Sequence, residues 1–235
     1  MILQKFVTLL IALFSFSILG SFEEKVPVAT TNEITKLQYQ RFYEHTQTRL
    51  PEWKSTFRRF ARQNDIPWAL LAAVAYQESK WDHRAVSYTG VKGMMQITLS
   101  TAKHIGIVDR EDPVQSIQGG AFYLKYLFNK TPAYISNYER WSLALAGYNI
   151  GWAHVRDARR LALELKKNPF NWKDFKTVIP KLEDENYYEN LTFGYARGKE
   201  TVQFVDNVMI YYKLLNQSKP RTLLTSRDSN SITFN

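Results

Sequence analysis

The sequence predicts a mainly α-helical domain, and three observations carry that expectation. Apolar residues recur at helical spacing through most of residues 33–216. Residues 67–75 are an almost uninterrupted run of apolar helix formers, as a helix buried on all sides requires. Helix start and stop signals punctuate the pattern, among them Pro51, Asp112-Pro113 and Gly147 to Gly151. A chain of 235 residues, 45% hydrophobic and 14% aromatic, is ample for one cored domain with appendages.

Residues 1–21 read as an export signal or an N-terminal anchor: Lys5, an apolar run over 6–19, then Gly20 and Ser21. The run is short for a membrane span, yet the small-x-small cleavage pattern after it is poor, so both readings stand. Either way the domain is expected outside the cytoplasm. With no cysteine after the run, a lipoprotein anchor is excluded. Residues 22–32, with Pro27 and Thr30-Thr31-Asn32, read as a linker. The domain is expected over 33–217, followed by a polar tail at 218–235. Its first helices fall at 33–48 and 52–64. The second opens at Pro51 and carries Trp53, Phe57 and Phe60 beside Arg58, Arg59 and Arg62, a basic face most simply read as solvated surface.

The helix that follows ends in Tyr76-Gln77-Glu78-Ser79-Lys80-Trp81, and Glu78 falls on its inner stripe, in line with Leu71, Val74 and Ala75. A carboxylate there is costly to ionise, and the negative end of the helix dipole also favours the protonated form. A carboxylic acid kept neutral near pH 7 is what a general acid requires.

From 82 to 97 the periodicity is lost, and Thr89-Gly90 and Lys92-Gly93 signal turns, so a loop or small hairpin is expected beside the Glu78 helix. Helices resume at 99–105 and 113–129; Gly119-Gly120 in the latter reads as close helix packing, since no P-loop lysine pattern accompanies it. A buried helix at 139–150 brings Tyr148 and Asn149 out at its end. Helices at 152–166 and 172–178, a tyrosine-rich connection at 187–195 and a last helix at 198–216 complete the domain.

Several chemistries are excluded. There is no cysteine for a disulfide, thiol nucleophile or metal site, and His45, His83, His104 and His154 lack ligand spacing, so no metal and no cofactor is expected. No G-x-S-x-G elbow is present. The net charge of +9 suits a polyanionic partner: nucleic acid, anionic lipid or a carboxylate-bearing wall polymer. Nucleic acid is set aside because no binding motif accompanies the charge and export conflicts with it.

Glu78-Ser79, Gly93-Met94-Met95-Gln96 and Gly147-Tyr148-Asn149 together resemble the ordered motifs of family 1 lytic transglycosylases, whose usual forms are Glu-Ser, Gly-Leu-Met-Gln and Ala-Tyr-Asn. The likeness runs from about residue 53 to 216. It is strongest to a membrane-bound branch, through residues 72–79, 89–93, 112–117 and 194–198. It implies a lysozyme-like (goose-type, SLT) helical domain that cleaves the β-1,4 bond between N-acetylmuramic acid and N-acetylglucosamine in peptidoglycan, leaving 1,6-anhydro ends. Carried onto this chain, Glu78 acts as acid and then base, and an internal hydroxyl replaces the water or nucleophile that a second carboxylate handles elsewhere. Ser87 matches a family serine and either orients the substrate N-acetyl group or caps its loop. Gln96 can bond sugar amides or hydroxyls, and Met95 packs beneath the site. Tyr148 meets a sugar face, and Asn149 ties its loop to the Glu78 helix.

The chain departs from the family in three ways. Gly147 replaces alanine, which should loosen the helix end. Phe204 stands where a late tyrosine is usual, with Tyr195 as a substitute. Members of that branch carry a large amino-terminal solute-binding-like domain, for which about 30 residues leave no room here, so its regulation is expected to be absent. The expected partner is the peptidoglycan glycan strand, with other cell-wall enzymes and a peripheral membrane surface as further candidates, in the periplasm or at the outer membrane. The rival readings are a muramidase-type hydrolase of the same fold, with Asp82 positioning a water, and a catalytically silent wall-binding scaffold.

Overall fold

The computed structural model describes residues 34–217 and 231–232; the expected export segment, linker and most of the polar tail lie outside these. Strand β1 (Ile34–Thr35) pairs antiparallel with β2 (Ser231–Ile232), and between them run helices α1 (Lys36–Thr48), α2 (Leu50–Gln63), α3 (Trp68–Ser79), α4 (Leu99–Ile105), α5 (Pro113–Asn129), α6 (Asn137–Ile150), α7 (Trp152–Glu164) and α8 (Trp172–Val178). A 3-10 turn (Ile179–Glu183), α9 (Glu185–Tyr188) and α10 (Gly198–Asn216) follow. The mainly helical expectation holds with close boundaries. Two of the shifted starts lie where a side chain sets the cap: Thr35 starts α1 through a capping box with Gln38, and Ser136 starts α6 by accepting from Glu139 N. The tyrosine-rich connection begins inside α9, whose first turn Asp184 caps.

The centre of the fold is α3. Residues 69–76 are all buried, and α3 packs chiefly against α10 and α2. A cluster of rings locks its C-terminal half to α1 and α10: Tyr76 lies 4.8 Å from Phe42, 4.6 Å from Trp81 and 4.7 Å from Tyr211, centroid to centroid. Each such pair contributes roughly 0.5–1.5 kcal/mol beyond area burial. After Ser79 the chain turns sharply, with Lys80 and Trp81 both left-handed at φ 56° and 58°. The Cβ strain of this turn is offset by burial of Trp81, whose Nε1 donates to Ala72 O at 2.8 Å, and by Arg49, which donates to Lys80 O at 3.0 Å.

The Gly119-Gly120 pair is the close contact expected of it: a Cβ on Gly120 would stand 2.5 Å from Met95 Cε, and one on Gly119 2.7 Å from Ile107 Cγ1. This brings α5 directly under the segment that follows α3. Further along, buried Asp206 on α10 accepts from Trp172 Nε1 at 2.9 Å and pairs with Lys176 at 3.2 Å, fixing α8 against α10.

Candidate active site

Glu78 lies in the last turn of α3, partly buried, with no hydrogen bond or ion pair to its carboxylate among the described residues. Burial raises its pKa to about 8; the nearby Lys80 ammonium opposes the rise and the Glu200 carboxylate adds to it. Lys80 is itself lowered to about 8, by burial first. Its Nζ donates to Tyr76 O at 3.0 Å and Gln77 O at 3.1 Å, so this cation closes the helix end that Glu78 occupies. Ser79 turns inward, donating to Ala75 O at 3.0 Å and touching Met94 Sδ at 3.6 Å. The Glu-Ser pair thus divides its work: the acid faces the cleft and the serine fastens the helix to the next segment.

That segment is a small hairpin, as expected. Val86 and Lys92 form a bridge, Ser87 N donates to Val91 O at 2.8 Å, and Gly93 N donates to Ala85 O at 3.1 Å. Ser87 Oγ accepts from Val91 N at 2.9 Å and shares a hydrogen with Thr89 Oγ1 at 3.0 Å, so its hydroxyl is engaged in holding the turn. Gly93 sits at φ +95°, and a Cβ there would run into the Arg110 carbonyl, which only glycine avoids. Gln96, at φ 48°, donates its amide to Gly93 O at 2.9 Å and Ala85 O at 3.1 Å, leaving Oε1 as its open acceptor.

The end of α6 completes the floor. Tyr148 Oη donates to Met95 O at 2.9 Å, and burial, then the Glu78 charge, hold its pKa well above the usual phenol value. Asn149 Oδ1 accepts from Thr201 Oγ1 at 2.7 Å. The tie from Asn149 therefore runs to α10, which packs against α6, not to the Glu78 helix as the sequence suggested. Gly147 also differs from expectation: a Cβ there would stand 2.9 Å from Trp152 Cε3, so the glycine admits the ring that starts α7.

These elements enclose a cavity of about 500 Å³ lined by Glu78, Ser87, Gln96, Tyr148, Asn149 and Tyr195. Met95 is fully buried beneath it, and Phe204 stacks parallel to Tyr148 at 6.5 Å behind the wall, whereas Tyr195 is 55% exposed on the wall. Asp82 does not line the cavity; its carboxylate accepts from Arg84 N at 3.0 Å. Sequence reading missed Tyr88, His154, Arg197 and Glu200, which also line it. Glu200 had a signal, as the residue before Thr201 in the segment whose late tyrosine is replaced; the others became visible only when three separate loops met.

The helical frame around α3, with its cleft between a helix end, a hairpin and the start of α10, matches the lysozyme-like fold of SLT lytic transglycosylases, and residues 55–171 match the transglycosylase SLT domain family. The particular likeness is to membrane-bound lytic murein transglycosylase F. The protein of that name from Shewanella sediminis is 49% identical over 167 residues, covering 71% of this chain and 34% of its own length. The one from Aeromonas salmonicida is 47% identical over 174 residues, covering 74% of this chain and 35% of its own. The chain thus spans about a third of the length of these relatives. Among solved structures, the 70 kDa soluble lytic transglycosylase of Escherichia coli aligns with a TM-score of 0.50 at 25% identity, covering 69% of this chain and 24% of that one. A 70 kDa soluble lytic transglycosylase in complex with bulgecin A aligns with a TM-score of 0.52 at 25% identity, covering 74% of this chain and 26% of that one.

Proposed function

We propose that this protein is a peptidoglycan lytic transglycosylase in which Glu78 serves as acid and then base. The observation that carries the proposal is a carboxyl with no hydrogen-bond or ion-pair partner among the described residues and a pKa of about 8, on the wall of a cavity of about 500 Å³. At neutral pH Glu78 is mostly protonated and donates to the oxygen between N-acetylmuramic acid and N-acetylglucosamine as the C1–O bond breaks. The carboxylate it becomes, beside the Lys80 cation, then takes the proton of the muramic acid 6-hydroxyl while that oxygen bonds to C1 and closes the anhydro ring. No water enters the balance.

The remaining residues hold this geometry. Tyr148, through Met95 O, sets the hairpin against the α6 end, and Met95 forms the floor. Gln96 offers Oε1 to a sugar N–H or hydroxyl, Asn149 offers its amide N–H, and Tyr195 offers a ring and hydroxyl to a sugar face. Ser87 acts through the hairpin turn. The setting is the cell envelope, at the periplasmic or outer-membrane face; no helix among the described residues is long and apolar enough to cross a membrane.

A second reading has one observation in its favour. Glu200 lines the same cavity and influences Glu78, so it could orient a water for hydrolysis. Digestion of purified sacculi, with mass spectrometry of the ends, separates the two. Anhydro-muramic ends, absent with Glu78→Gln, are expected; reducing muramic ends alone would replace the transglycosylase by the hydrolase. Sacculus binding without turnover by the unaltered protein would point to a scaffold.

A further inference from the structure

Several neutral donors in the cleft are spent on the protein. Gln96 gives both amide hydrogens to backbone carbonyls, Tyr148 gives its hydroxyl hydrogen to Met95 O, and Ser87 and Thr89 share one between them. His154, in the first turn of α7, is different. Its Nδ1 is sealed from solvent with no partner, while Nε2 is not sealed and has no protein partner among the described residues. The ring is held from behind: Phe193 meets it edge-on at 6.3 Å, Phe193 N is fixed by the buried Asp157 carboxylate at 2.7 Å, and Arg156 covers the Phe193 ring at 5.6 Å.

A sealed Nδ1 without an acceptor is least costly as a bare lone pair, which puts the hydrogen on Nε2. Burial also holds the His154 pKa below its usual value, with Asp157 opposing, so the ring is neutral at pH 7. With Glu78 protonated at pH 7 and Glu200 paired to Arg197 at 3.2 Å in the same cavity, the wall carries little net charge and suits a neutral acceptor. We propose that His154 is a glycan-binding residue, its Nε2–H donating to a neutral acceptor oxygen of the sugar chain, an acetamido carbonyl or a hydroxyl. This deepens the glycan-cleaving reading and rests on it.

The test uses a peptide-free GlcNAc–MurNAc tetrasaccharide titrated into the full chain carrying Glu78→Gln, so that no turnover intervenes. Adding His154→Leu should weaken binding roughly tenfold, the scale of one lost hydrogen bond, while His154→Gln, which keeps a donor near Nε2, should stay within about threefold. In the Glu78 protein the same loss should appear in KM, with kcat within about twofold. Should the leucine variant not fold, the imidazole 15N resonances, assigned to His154 by their loss in the glutamine variant, carry the test: they should move on adding the tetrasaccharide. Equal binding by all variants, equal loss with leucine and glutamine, or unmoved resonances would overturn the inference. Tetrasaccharide binding that depends on His154, in a protein that releases no anhydro ends from sacculi, would sink the transglycosylase reading and leave this one standing.

Discussion

At the scale of single residues, Glu78 couples function to stability. Its carboxyl titrates near 4.5 in the unfolded chain and near 8 in the folded one. Between those values the folded state keeps a proton that the unfolded state has released, so stability falls as pH rises from about 5 to about 8. Lys80, with a folded value of about 8, has the opposite sign and enters only above that window. Chemical denaturation of the wild type and Glu78→Gln across pH 5 to 8 should therefore show a gap that widens with pH, reaching on the order of a few kcal/mol in favour of the variant. A gap independent of pH would mean that the carboxyl is not held protonated. Glu78 was legible in the sequence because a carboxylate in an apolar helix conflicts with burial whatever the rest of the fold does. His154 and Arg197 were not, because a polar residue near a helix start is ordinary until a cavity opens beside it. Ser87 was legible as a position, but both of its expected roles fitted a loop serine, and only the Val91 and Thr89 contacts show the hydroxyl at work within the turn.

At the scale of elements, the end of α6 acts as a clamp with two arms. Tyr148 reaches the hairpin side through Met95 O, and Asn149 reaches α10 through Thr201. Tyr148→Phe removes one arm with little change in shape, and Thr201→Val removes the other, leaving Asn149 Oδ1 without its donor. Each should cost about 1–2 kcal/mol of stability, as a partly buried hydrogen bond does. Each should also lower kcat on glycan strands several-fold by letting the cleft walls shift. Because both arms act on one helix end, the double variant should lose less than the sum of the single losses in activity. Simple additivity would show that the arms position the site independently. The start of α5 was legible through its cap: Asp112 accepting from Gln115 N at 2.7 Å is a signal that operates within one turn. The 3-10 turn and α9 were not, since segments this short take their shape from what they pack against, here α10 and each other.

At the scale of the whole molecule, the site is assembled from segments far apart in sequence around one buried helix, which is why order and spacing of motifs carried more information than any motif alone. Net charge belongs to this scale as well. Arg58, Arg59 and Arg62 on α2 are exposed and make no ion pair among the described residues, and the chain carries +9 in all. The contacts proposed between the cleft and sugar are mostly neutral and short, whereas attraction of a cationic surface to an anionic polymer acts at longer range and is screened by salt. The two contributions should therefore separate. Raising salt from about 50 mM to about 300 mM should reduce sacculus binding by Glu78→Gln several-fold, because the screening length falls below the reach of the surface charges. Binding of a neutral N-acetylglucosamine oligomer in the cleft should change by less than about twofold over the same range. Equal salt sensitivity for both would place the charge effect inside the cleft, on Arg197; insensitivity of both would leave the basic face of α2 as solvated surface and no more.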